Sequence, residues 1–150
     1  MMIFLRLFLL NIFLFLSVHL FAQNQPCENE KIAREIDAAK TFYQGKNYTL
    51  LTSGSNNFFS ANEYREFVEL KTNKSYVFVF KTEKLIDQTS LSLLNAYNVV
   101  VQSVFKETGQ ERSSIILEYT PHNAGTYAMV LKTVDYTGRS VCGSWVIFEK

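Results

Sequence analysis

The chain has 150 residues, 15 of them basic and 14 acidic, for a formal net charge of +1. So balanced a surface offers no electrostatic pull toward nucleic acid or anionic lipid. The length allows one domain with one sizeable core, and the two cysteines can close one disulfide.

Residues 1–22 read as a secretory signal peptide. Arg6 stands near the start, an apolar run over 7–18 is broken by Asn11 and Ser17, and the small Ala22 precedes a polar shift at Gln23. Cleavage after Ala22 is the expectation. The alternative is a retained anchor, because residues 3–22 are long and apolar enough to span a bilayer; the chain has no other signal for a membrane. Export places the protein in a secreted or periplasmic compartment, where disulfides persist. The expected bridge joins Cys27 to Cys142, and the alternative is two separately buried thiols. Such a bridge ties the start of the mature chain to its last strand, which the chain-entropy account values at about 5 kcal/mol.

Within residues 23–45, Ile32, Ile36, Ala39 and Tyr43 recur at helical spacing between charged residues. Pro26 precedes this stripe, Glu30 lies four residues before Arg34, and Gly45 stands where a helix would stop. One amphipathic helix packed on a sheet is predicted. Residues 46–150 read as strands. A short strand over 46–52 is expected to end in the turn-rich SGSNN of 53–57. Over 64–71, Tyr64, Val68 and Leu70 alternate with Arg65, Glu69 and Lys71, and Phe67 is an exception on the polar face. After a turn at 72–75, YVFVF at 76–80 is apolar throughout, as in a central strand buried on both faces.

Further strands are expected over 85–94 and 97–105, followed by a turn at 106–111. The last third, from 113 to 150, holds three β-favouring runs separated by PHNAG and DYTGRS, the composition of a β-meander. About eight strands with no helix between them predict an all-β fold, an antiparallel β-sandwich of the jelly-roll or Greek-key kind, forming one domain with the helix.

Catalytic equipment is not signalled. Of two histidines, His19 falls in the signal segment and His122 in the PHNAG turn. Asp37, Asp87 and Asp135 are widely spaced and form no calcium loop. CGSW at 142–145 shares letters with papain-type sites but lacks the second cysteine and any downstream histidine. Nucleotide-binding and nucleophile-elbow motifs are absent from the sequence. The expectation is a protein without enzymatic activity, metal or cofactor. Asn47-Tyr48-Thr49 and Asn73-Lys74-Ser75 match glycosylation acceptors, which matter only in a eukaryotic secretory route.

PHNAGTYAMV at 121–130 carries the pattern of a tyrosine corner, with Pro121 opening the turn, Gly125 in a conformation costly to other residues and Tyr127 bonding back to nearby backbone. Together with KSYVFVF and LEYT upstream, this P-x-x-x-G-x-Y-x-x-V pattern resembles the small secreted bacterial β-sandwiches of the pre-peptidase C-terminal type. The resemblance spans about residues 63–134. It implies a non-catalytic module of the kind appended to secreted enzymes, whereas this sequence adds a helix and a disulfide.

The first functional expectation is therefore an exported envelope or extracellular module that binds a glycan, a small ligand or an envelope protein through a sheet face or its loops. Tyr64, Tyr97, Tyr119 and Tyr136 are the candidate contact residues, since exposed tyrosines can stack on sugar rings; the alternative is that such aromatics fill the core. A structural or assembly component that pairs through an edge strand is the second expectation. A hydrolase with a carboxylate site stands last.

Overall fold

Two four-stranded antiparallel sheets and one helix form the fold in the computed structural model, which describes Cys27 and residues 29–83, 88–107, 114–135 and 137–150. The expected signal segment, Tyr136, the first residues of the 85–94 strand and most of the 106–111 turn lie outside the described residues.

Helix α1 (Glu30–Gln44) starts at Asn29, whose extended backbone lets its side-chain oxygen accept from the N–H groups of Lys31 and Ile32 at 3.0 and 3.2 Å. Ile32, Ile36 and Tyr43 form its buried stripe. The helix does not stop by a left-handed Gly45, which keeps an ordinary helical φ of −61°. Asn47 takes that role two residues later, at φ 64°.

The strands are β1 (Thr49–Phe58), β2 (Glu63–Leu70), β3 (Tyr76–Thr82), β4 (Gln88–Leu94), β5 (Val100–Glu107), β6 (Ser114–Tyr119), β7 (Gly125–Val134) and β8 (Val141–Glu149). The first sheet has the order β1-β8-β3-β6 and the second β2-β7-β4-β5. Among the described strands, β4 and β5 alone are both consecutive and paired; every other connection crosses from one sheet to the other. This interleaving is the jelly-roll form of the expected sandwich.

Three expectations are corrected. The last third is not a meander, because β6, β7 and β8 lie in alternate sheets. Turn-rich links can arch between layers as readily as they close a hairpin, and nothing local in them selects the partner. Next, SGSNN is not a turn but the second half of β1, with Ser53 opposite Val146 and Asn57 opposite Cys142. Pairing with β8 overrides the weak strand preference of these residues. Finally, the strand expected from Tyr97 begins at Val100. The Asn95 side chain accepts from the N–H groups of Tyr97 and Val99, and Asn98 turns left-handed at φ 58°, so residues 95–99 form the hairpin tip.

Strand β3 shows why its sequence is apolar at every position. Tyr76, Phe78 and Phe80 point between the sheets, where they meet Leu91, Leu93, Met129 and Leu131. Val77 and Val79 point the other way and, with Val146 and Phe148 of β8, pack beneath Ile32, Ile36 and Tyr43 of α1. The helix thus covers the outer face of the first sheet over β1, β8 and β3, while Ile116 of the edge strand β6 stays exposed there.

Cys27 and Cys142 are disulfide-bonded, with Cα atoms 5.4 Å apart. Glu83 reinforces this corner: its carboxylate accepts from the Cys142 N–H at 3.0 Å and from the Asn29 amide at 3.2 Å. Lys81 reaches from β3 to Glu35 of α1 at 3.1 Å. Helix start, bridge and last strand are therefore fastened at one place.

Candidate functional site

The three described candidate tyrosines are not brought together. Tyr64 lies against the core between the sheets, its ring centroid 4.6 Å from that of Trp145, and its hydroxyl donates to Glu66 at 2.8 Å. Tyr119 also packs against that core, 5.8 Å from the ring of Tyr127. Tyr97 is 87% exposed at the β4–β5 tip. In the neighbouring turn, Pro121 is buried, Gly125 has φ 151°, and the Tyr127 hydroxyl donates to the Asn123 carbonyl at 2.8 Å.

Burial governs the tyrosine ionisations. It raises Tyr119 to about 12, assisted by its hydrogen bond with Tyr127. Tyr64 is driven further up by burial and by Glu66, and Tyr43 and Tyr76 rise by burial first. A folded-state value above the ordinary one of about 10 means that the neutral form stabilises the fold. That contribution is complete below about pH 10 and is lost as pH rises through about 12 and beyond. An alkaline titration should therefore show tyrosinate absorbance and loss of folded-state circular dichroism rising together; full tyrosinate formation with the fold intact would contradict the burial assigned here.

The second sheet has an outer face that α1 does not cover. Cross-strand pairing sets Phe67, Ala128, Leu94 and Val100 in one row across all four strands. Phe67 is 67% exposed, and Val100 is exposed at the far end of the row. Leu94, Ala128 and Val130 form a small buried cluster between them. The next two rows read Arg65, Val130, Ser92, Ser103 and then Glu63, Lys132, Ser90, Phe105. An apolar band thus runs beside charges of both signs, with Arg65 and Glu63 paired at 3.3 Å. Phe67 was visible in the sequence as an apolar residue on a polar face. Val100 and Phe105 were not, because their facing depends on the shift of register at Leu93–Leu94.

A separate groove of about 250 Å³ runs between α1 and the β1–β8 margin. Asp37 and Lys40 line it from the helix; Ser53, Ser55 and Ser144 line it from the strands. Asp37 and Lys40 are ion-paired at 3.1 Å.

No family model matches the chain, that of the pre-peptidase C-terminal modules included, and no curated protein matches it. Three solved structures are similar in part. One is a periplasmic inhibitor of g-type lysozyme from Aeromonas hydrophila, at 8% identity over 70% of this chain and 90% of that one, with a TM-score of 0.49. Another comes from the disulfide-linked pili of Bacillus endospore appendages, at 8% identity, covering 68% and 88%, with a TM-score of 0.38. The third is the lectin domain of lectinolysin, solved with Lewis B antigen, at 11% identity, covering 65% and 70%, with a TM-score of 0.40. At these values no site residue carries over.

His122 is exposed in the turn after β6 and makes no hydrogen bond among the described residues. No group of three or more metal-ligating side chains gathers among them either. Two surfaces among the described residues stand out, the apolar side chains on the outer face of the second sheet and the groove beside α1.

Proposed function

We propose that this chain is an exported, non-catalytic binding module that holds a protein partner on the outer face of its second sheet. One observation carries the proposal: on the outer face of the second sheet, which α1 does not cover, Phe67 and Val100 stand exposed at the two ends of the Phe67–Ala128–Leu94–Val100 row, with Phe105 exposed on the same edge strand as Val100. Exposed large apolar side chains gathered on one sheet face mark an interaction site, and aromatic anchors beside a charged rim are the anatomy of a protein interface. The row's floor is aliphatic and offers no hydroxyl, which favours an apolar protein surface over a glycan. The disulfide supports export, since such bridges persist in oxidising compartments.

A photo-crosslinking residue placed at Phe67 or at Val100 in the native host tests this. Discrete protein adducts are expected at both positions, absent at the exposed Arg139 and lost when Phe105→Asp is added. No adduct from a folded domain overturns the proposal. Saturable stabilisation by polysaccharides, abolished by Phe67→Ala, replaces the protein partner with a glycan.

Strand addition at β5 is the second reading, and a difference between the edges of the second sheet favours it. Residues 99–105 contain no charge, proline or glycine, whereas edge strand β2 carries Glu63, Arg65, Glu66 and Glu69. Edges without such devices invite pairing. Assembly that survives Phe67→Asp but is lost on Gln102→Pro identifies this mode.

A further inference from the structure

Strand β2 is a free edge of the second sheet: it pairs with β7 on one side, and no described strand pairs with the other. The residues it turns outward from the sandwich are Glu63, Arg65, Phe67 and Glu69, with Lys71 just past its end, and all five are exposed. Tyr64, Val68 and Leu70 alternate with them and pack into the core. In chain order the outward row therefore reads acid, base, aromatic, acid, base. Reversed end for end about Phe67, it is its own electrostatic complement.

An antiparallel partner strand is such a reversal, and a two-fold axis at Phe67 supplies it from a second copy of this chain. Arg65 then faces the second copy's Glu69, Glu63 faces its Lys71, and the two Phe67 side chains meet at the axis. Side chains so opposed lie about 4.5–5.5 Å apart at Cβ, within reach of ion pairing. Both central charges have capacity left for a partner. Arg65 is paired with Glu63 at 3.3 Å but has five donors to share, and Glu69 accepts from the Thr126 hydroxyl through one oxygen only. The neighbouring registers that keep the exposed rows on one face all oppose like charges. With the axis at Glu66, Glu63 meets Glu69; at Val68, Arg65 meets Lys71; at Arg65 or Glu69, that residue meets its own copy. Charges on an edge ordinarily block strand addition, and here they leave one register open.

We infer that this protein forms a two-fold dimer by antiparallel pairing of β2 with β2 of a second copy, centred on Phe67. The pairing engages the backbone groups of both free edges and joins the two second sheets into one of eight strands. A formal net charge of +1 adds little long-range repulsion between the copies. The interface is the strand edge and not the outer face of the sheet, so it stands whether or not a protein docks there.

The test is sedimentation velocity of the oxidised, exported protein from micromolar to near-millimolar concentration, where the parent should dimerise. Arg65→Glu and Glu69→Arg should each weaken the dimer at least about tenfold, because each turns two attractive pairs into repulsive ones. Both side chains are exposed, so the variants should keep the parent's circular dichroism. Mixing the two single variants should restore dimerisation, since acids again face bases across the axis, and so should combining both substitutions in one chain. Phe105→Asp and Gln102→Pro, which alter the outer face and the β5 edge, should leave the dimer unchanged. A parent that stays monomeric throughout overturns the inference. A dimer that withstands both single reversals, or that the mixture fails to restore, also overturns it. So does a dimer lost on Gln102→Pro, which moves self-association to β5.

Discussion

Replacing both bridge cysteines, as Cys27→Ser with Cys142→Ser, is expected to lower the unfolding free energy by about 5 kcal/mol. The bridge spans 115 residues and so removes most of the loop entropy available to the unfolded chain. Against a usual net stability of about 5–15 kcal/mol, such a loss leaves the domain marginal. Urea denaturation of the oxidised and substituted proteins measures it. The m-value should also rise in the substituted protein, because an unbridged denatured chain exposes more surface.

The competing account gives the helix other anchors strong enough to make the bridge redundant. Ile32, Ile36 and Tyr43 are buried against β3 and β8, and Glu83 ties Asn29 to the Cys142 amide. These contacts act only in the folded state, whereas the bridge acts chiefly on the unfolded one, so the two effects add rather than substitute. A loss below about 1 kcal/mol would show that the non-covalent fastening suffices.

Much of this corner was legible in the sequence because the options were few. Two cysteines permit one intramolecular bridge, and the spacing of Ile32, Ile36 and Tyr43 fits a helix face and no strand face. YVFVF was legible for the same kind of reason, since an unbroken apolar run implies burial on both sides, which α1 and the second sheet together provide. What stayed hidden was everything decided by partners remote in sequence. Local composition marks β6, β7 and β8 as strands but not as members of alternate sheets. Nor can it tell an inward tyrosine from an outward one. Tyr64 is on the inner face because β2 pairs with β7 in the register Tyr64 to Leu131, and a shift of one residue would have exposed it. The apolar row is hidden for the same reason, with only Phe67 out of step with its neighbours on one strand.

SGSNN is the sharpest of these conflicts, and it yields the prediction that best separates local preference from packing. Gly54→Val is expected to destabilise the domain by about 3 kcal/mol, the upper end of ordinary overpacking. On propensity alone the sign is opposite, since valine is the better strand residue by up to about 1 kcal/mol. Packing wins because a Cβ at Gly54 would stand 2.3, 2.6 and 2.9 Å from three atoms of the Trp145 indole. The ring cannot easily withdraw: it is buried, with the Tyr64 ring packed against it at a tilt 4.6 Å away and Phe58 in turn 5.8 Å from Tyr64. The alternative is for β1 to retreat, at the expense of its pairing with β8 on both sides of Gly54. Trp145→Leu removes the atoms in conflict, so a double-mutant cycle should return a favourable coupling of at least about 1 kcal/mol between the two positions. Gly125→Ala is the control, because nothing lies within 4 Å of its Cβ position and its cost comes from backbone conformation at φ 151° alone; no coupling to Trp145→Leu is expected there. Chemical denaturation of the three single variants, the two doubles with Trp145→Leu and the parent measures every leg. A Gly54→Val protein as stable as the parent, or one whose loss is untouched by Trp145→Leu, would mean that glycine stands in β1 for a reason other than the indole beside it.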